Sequence, residues 1–139
     1  MPESEENSAD RKLLEAVTVE AGKIALSWFG KDPEVWMKEG DSPVSQADLA
    51  VDEFLQSELL KARPYYGWLS EETEDNDDRL NARRTFVVDP IDGTRGFING
   101  LERWCVSVAV VENHRPIAAA LYAPVLQKPL PLHCPVARH

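Results

Sequence analysis

Leu13, Leu14, Val17, Ala21, Ile24, Ala25 and Trp28 recur at three- and four-residue steps, the spacing that gathers side chains on one face of an α-helix. The pattern predicts a helix from Ser8 to a stop at Gly30, after a polar stretch over residues 1–7 that is expected to be frayed and disordered. A second set, Leu49, Val51, Phe54, Leu55, Leu59 and Leu60, predicts another helix. Ser45 can cap it, with Asp48 at its third helical position in a capping-box arrangement. Between the two helices, residues 35–38 read as a short strand. Beyond Pro64-Tyr65-Tyr66 the pattern predicts strands over 67–70, 85–89, 105–111 and 117–122, with a turn at Glu112-Asn113-His114-Arg115 joining the last two as a hairpin. There is no internal repeat. Two long helices followed by a mostly antiparallel sheet predict an α+β fold, with the helices packed on one sheet face.

Composition narrows the functional classes. A chain of 139 residues has room for one domain, and a domain of this size buries roughly two-thirds of its unfolded surface. The 43% hydrophobic and 28% charged content is ordinary for a globular protein, and no apolar run approaches the ~20 residues that span a bilayer, so no membrane partner is expected. A net charge of −9 without a basic patch argues against a nucleic-acid polymer as partner. Cys105 and Cys134 are too sparse for a disulfide framework, no Cys/His spacing suggests zinc, and Cys105 reads as a buried strand residue. The acidic start, Met1-Pro2-Glu3-Ser4-Glu5-Glu6, lacks the basic and apolar regions of a secretory signal, which favours a cytoplasmic location.

The chemistry concentrates in Val87-Val88-Asp89-Pro90-Ile91-Asp92-Gly93-Thr94-Arg95-Gly96-Phe97. The apolar, β-branched residues before Asp89 predict a buried strand that Pro90 and Gly93 end, so both aspartates sit at a strand end. Neither is stable there as a buried anion without a cation or donors beside it, and a hard divalent ion would supply the cation. Gly93 permits close approach of backbone, and Thr94 offers a hydroxyl and an N–H at the start of a short helix, a setting that suits phosphate. Each residue also has a plainer role available. Asp89 and Asp92 can be turn formers, Asp48 a helix cap, and most of the acidic run 71–78 a solvated loop in which only Glu71 and Glu72 are assigned function. His114, His133 and His139 are assigned none.

At Asp89-Pro90-Ile91-Asp92-Gly93-Thr94 the chain resembles the inositol monophosphatase family of metal-dependent phosphomonoesterases. Trp68-Leu69-Ser70-Glu71-Glu72, and before it Lys38 and Pro43-Val44-Ser45-Gln46-Ala47-Asp48, are similar to further family elements in the same order, and the likeness extends over roughly Leu13 to Leu126. The resemblance implies the amino-terminal half of an αβαβα sandwich over residues 8–126. It implies that Glu71, Asp89 and the carbonyl of Ile91 ligate one Mg²⁺ and that Asp89 and Asp92 share a second, with Mn²⁺ a possible substitute. Thr94, hydrogen-bonded to Asp48, would position and help deprotonate a metal-activated water; Asp92 and the N–H groups of Gly93 and Thr94 would hold the substrate phosphate, and Glu72 would support the site from outside the ligand ring. The substrate would be a small phosphorylated metabolite: inositol monophosphate first, then 3'(2'),5'-bisphosphate nucleotide, histidinol phosphate or fructose 1,6-bisphosphate. The Thr-Arg-x-Phe continuation looks most like histidinol-phosphate and broad-specificity bacterial members, and Arg95 either contacts substrate or pairs with an acid.

The family's second half brings a further metal-binding aspartate in a Trp-Asp element that this sequence lacks. After Leu126 the chain reads Gln127-Lys128-Pro129-Leu130-Pro131-Leu132-His133-Cys134-Pro135, and three prolines in seven residues are expected to forbid a regular ladder. Residues 127–139 are therefore expected to be an aberrant, disordered tail, the chain to be catalytically impaired, and its uncovered apolar surface to drive homodimerisation or self-association. The alternative is a non-catalytic fragment acting only as a metal-binding or interaction module.

Overall fold

Ser4 caps the first helix, α1 (Glu5–Trp28): its side chain accepts from the Asn7 N–H at 3.0 Å, and Glu5 and Glu6 occupy the first turn, where the helix dipole favours negative charge. Within the segment expected to be frayed, residues 4–7 thus form the cap and first turn of the helix, which starts ahead of Ser8; residues 1–3 lie outside the described residues. The structure, a computed structural model, describes residues 4–31, 34–38, 42–72, 77–126 and 128–129. The Lys38 side chain, residues 73–76, the side chains of Asp77 and Asp78, and the segment from Leu130 on, with His133, Cys134 and His139, lie outside the described residues.

After α1 come β1 (Val35–Lys38) and β2 (Ser42–Ser45), paired antiparallel, then α2 (Gln46–Ala62). β3 (Gly67–Ser70) leads through a 3-10 turn (Asp77–Asn81) to β4 (Thr85–Asp92), followed by the short α3 (Thr94–Ile98), β5 (Cys105–Glu112), β6 (Arg115–Ala123) and β7 (Lys128–Pro129). The main sheet has the order β3-β4-β5-β6-β7, parallel between β3 and β4 and antiparallel elsewhere. The pairing of Ala123 with Lys128 and of Tyr122 with Pro129 corrects the expectation that no ladder forms beyond Leu126. On the outermost strand, proline's missing N–H costs nothing when that side faces away from the ladder.

α1 packs on β5 and β6, and α2 packs on β4 and against α1, so the helices cover one sheet face. Along β5 the inward positions Val106, Val108 and Val110 are buried and alternate with half-buried Ser107 and Ala109, as a period of two demands. Gly22 permits the close approach of α1 to β6, because a Cβ there would lie 2.7 Å from the Tyr122 ring. The two-residue turn of the β5–β6 hairpin has both Asn113 (φ 52°) and His114 (φ 62°) in the left-handed region, matching the strand twist.

The inward face of α2 differs from the one its leucines suggest. Ala47, Asp48, Val51, Asp52, Leu55 and Leu59 are buried, whereas Leu49 is 40% exposed. The expected apolar stripe is rotated because two aspartates occupy inward positions. A second buried polar group ties α1 to the start of β4. Asp10 accepts from Arg63 Nε (2.9 Å), Tyr66 Oη (2.7 Å) and Arg84 Nη1 (2.9 Å), while Arg84 also donates to Glu112 (2.9 Å) and Asn7 (2.7 Å).

Candidate active site

β4 delivers Asp89 and Asp92 to one region by breaking its own register. Asp89 is paired with Ser107 but Asp92 with Cys105, so three steps on β4 match two on β5. In a regular strand residues three apart face opposite sides; the extra residue of this bulge, next to Pro90, re-aims them. β4 therefore runs on to Asp92 instead of ending at Asp89. On the other side of β4, Ser70 pairs with Val88 and the Glu71 N–H donates to the Val88 carbonyl at 3.2 Å, which brings Glu71 level with Asp89. Glu71 is exposed and Glu72 half-buried.

The electrostatics follow from this crowding. Burial, and then the negative charges of Asp92, Glu71, Asp48 and Glu72, push the Asp89 carboxyl up to about 8. Such a group is held as an anion at neutral pH only with positive charge beside it. Among the described residues, however, no group of three or more Asp, Glu, His or Cys side chains is gathered closely enough to hold an ion together. The donor chemistry, all hard oxygen with unrelieved repulsion, fits a divalent cation such as Mg²⁺ or Mn²⁺, while the drawn-in arrangement of Glu71, Asp89 and Asp92 that ligation requires is not displayed.

Asp48 links α2 to this strand end. Its Oδ2 accepts from the Ser45 N–H (2.8 Å) and the Ser45 hydroxyl (2.6 Å), completing the capping box, and its Oδ1 faces the Thr94 hydroxyl at 2.8 Å. One carboxylate thus caps α2 and accepts a hydrogen bond from Thr94 at the same time. Burial raises its proton affinity, against the lowering effect of the bonds from Ser45 and Thr94. The Thr94 hydroxyl has a single proton and two acceptors in reach, Asp48 Oδ1 and the Ile91 carbonyl at 2.9 Å.

Gly93 precedes α3 with φ +94°, a left-handed conformation that a side chain resists, and a Cβ there would lie 3.1 Å from the Arg103 carbonyl. The first backbone bond of the turn runs from Phe97 N to Gly93 O at 3.0 Å, so the amides preceding Phe97 precede the ladder. The turn is held from behind by Phe97, whose ring meets Trp104 edge-on at 4.8 Å, with Phe29 5.6 Å from Phe97 and 5.5 Å from Trp104. Arg95 is exposed, and Cys105 is buried as expected.

One residue here escaped the sequence reading. Asp52, only 6% exposed, accepts a hydrogen bond from the Ser70 hydroxyl, and Ser70 Oγ accepts the Glu72 N–H at 3.1 Å. Its signal was present as an aspartate one helical turn after Asp48, on the same face.

Residues 6–131 match the profile of the inositol monophosphatase family. The chain is 32% identical over 112 residues to the 3'(2'),5'-bisphosphate nucleotidase CysQ of Haemophilus influenzae, covering 79% of this chain and 42% of that protein. It is 34% identical over 119 residues to the inositol-1-monophosphatase of Rhizobium meliloti, covering 84% and 44%. The extragenic suppressor protein suhB from Bartonella henselae superposes with a TM-score of 0.81 at 30% identity, over 87% of this chain and 47% of that one. The chain therefore spans about half the length of the relatives it matches and adopts the fold of that half.

Proposed function

The chain belongs to the inositol monophosphatase family, and from that premise we propose that its protein hydrolyses the phosphate monoester of a small metabolite by direct attack of water, without a phosphoenzyme. The observation that carries this reading is the Thr94 hydroxyl 2.8 Å from Asp48 Oδ1 at the strand end where Asp89 is crowded by acids. In the reaction, Thr94 Oγ1 accepts a proton from the attacking water as its own proton passes to Asp48, whose burial favours receiving it. The new P–O bond forms as the bond to the leaving alkoxide breaks. Glu71, Asp89, Asp92 and the Ile91 carbonyl would hold Mg²⁺, or Mn²⁺ in its place, which supplies charge neutralisation on the phosphoryl group and an acidified water. The N–H groups of Gly93 and Thr94, with Asp92, orient the phosphate, and Glu72 supports Glu71.

Inositol monophosphate leads the substrate classes, with 3'(2'),5'-bisphosphate nucleotide next and histidinol phosphate after it. The names of the relatives above support the first two. Among the described residues no helix is long and apolar enough to cross a membrane, and we place the protein in the cytoplasm, associating with a second copy through apolar surface such as Trp36 and Met37. For the 139-residue chain alone we expect weak ion binding and little turnover.

The test is Mn²⁺ titration by calorimetry of the chain and of an Asp89→Asn/Asp92→Asn double variant, together with Mg²⁺-dependent phosphate release from a panel of monoesters. Binding that vanishes in the double variant supports the reading; binding unchanged in it overturns the ion assignment.

A further inference from the structure

We propose that Asp52 is a positioning residue for the Glu71–Glu72 corner of this site, acting through Ser70. The inference rests on the function proposed above. A buried carboxylate is costly unless partnered, and the rest of the inward face of α2 is apolar at Val51, Leu55 and Leu59. Packing alone would be served better by valine or leucine at position 52. Instead the carboxylate is 6% exposed and accepts a hydrogen bond from the hydroxyl of Ser70, itself 7% exposed, while Ser70 Oγ accepts the Glu72 N–H at 3.1 Å. A hydroxyl whose proton is drawn to a carboxylate is a stronger acceptor.

The two amides of the corner are therefore tied in different directions. Glu71 N–H is held by β4 through the Val88 carbonyl at 3.2 Å, and Glu72 N–H is held by α2 through Ser70. Asp48, one turn before Asp52, ties the same helix to Thr94 at 2.8 Å. Successive turns of α2 thus clamp the two ends of the acidic site, one at the phosphate turn and one at the glutamate corner. Asp52 does this without touching ion or substrate.

The experiment compares Ser70→Ala, Asp52→Val, Asp52→Asn and, as a control on the exposed side of α2, Glu53→Gln. Glu72 amide exchange is measured by NMR without metal, and Mn²⁺ affinity by calorimetry. Ser70→Ala and Asp52→Val are expected to speed Glu72 exchange and to weaken Mn²⁺ binding by roughly tenfold, the low end of what groups behind metal ligands contribute. Asp52→Asn keeps an acceptor for the Ser70 hydroxyl and is expected to restore both readouts to near those of Glu53→Gln. Unchanged Glu72 exchange in Ser70→Ala overturns the inference whether or not an ion binds, and so does unaltered Mn²⁺ affinity in that variant. A folded Asp52→Val variant with both readouts unchanged also overturns it. Should Asp52→Val fail to fold, Ser70→Ala decides alone. Mn²⁺ binding unchanged in the Asp89→Asn/Asp92→Asn double variant marks the failure of the ion reading itself, a different result from binding that merely ignores Asp52.

Discussion

Thr94 Oγ1 and Asp48 Oδ1 lie 2.8 Å apart although 46 residues separate them in the chain, and the pair joins the start of α2 to the turn after β4. Because Asp48 Oδ2 is committed to capping α2, Oδ1 is the oxygen left for the proton transfer proposed above. In a catalytically active protein of full family length, Thr94→Val is expected to lower kcat by about 10²–10⁴ with Mn²⁺ affinity nearly unchanged. Steady-state kinetics beside calorimetry checks this, and an unaltered kcat removes Thr94 from the proton path.

Asp89 makes the ion-free chain sensitive to pH. Its carboxyl is pushed from 3.8 up to about 8 in the folded state, so between those values the folded chain keeps a proton that the unfolded chain has released. Its contribution to stability is fully present below the lower value and is lost as pH rises through the upper one. The melting temperature of the ion-free chain is expected to fall more steeply from about pH 5 to pH 8 than that of Asp89→Asn, and stabilisation by added Mn²⁺ is expected to grow over the same window. Thermal melts across pH, with and without Mn²⁺, test both slopes.

Much of this was legible in the sequence, for identifiable reasons. Long helices, the β5–β6 hairpin and the Asp89–Thr94 strand-to-helix turn carry strong periodicity or strong punctuation by proline and glycine. The inward face of α2 was misread at Leu49 because hydrophobic periodicity cannot anticipate buried aspartates; Asp48 and Asp52 are inside on account of partners, Thr94 and Ser70, that only the fold brings near. β2 was missed because its four residues include Pro43 and present no alternation long enough to count. The start of α1 was placed late because Ser4, Glu5 and Glu6 act through a cap and the helix dipole, while the apolar pattern begins only at Leu13.

Gly93→Ala should be costly out of proportion to one methyl group. The residue is held at φ +94°, and the new Cβ would press on the Arg103 carbonyl from 3.1 Å. A loss of about 1–3 kcal/mol is expected, with the turn that carries Thr94 displaced. Urea denaturation gives the first; loss of the Thr94 pairing, read from its NMR shifts, gives the second. A variant as stable as the parent would mean that this turn adapts freely.

Asp10 and Arg84 form the other buried pair, with side chains only 1% and 5% exposed and an Nη1–Oδ2 distance of 2.9 Å. They lie at the junction of α1 with β4, apart from the acids at the far end of that strand, so their removal tests stability without touching the proposed chemistry. Arg84→Met leaves Asp10 with Arg63 and Tyr66 but strips Glu112 and Asn7 of a donor, and Asp10→Leu leaves the guanidinium with Glu112, Glu6 and Asn7 but strips Arg63 and Tyr66 of an acceptor. Each single change is expected to cost about 1–3 kcal/mol, since it leaves buried charge-assisted hydrogen bonds unmade while the other partners remain. The double variant Asp10→Leu/Arg84→Met is expected to lose much less than the sum, because both charges then leave together and their space is refilled by apolar atoms. Urea midpoints for the three variants at constant slope measure the coupling directly, and strict additivity would show that the two residues act independently.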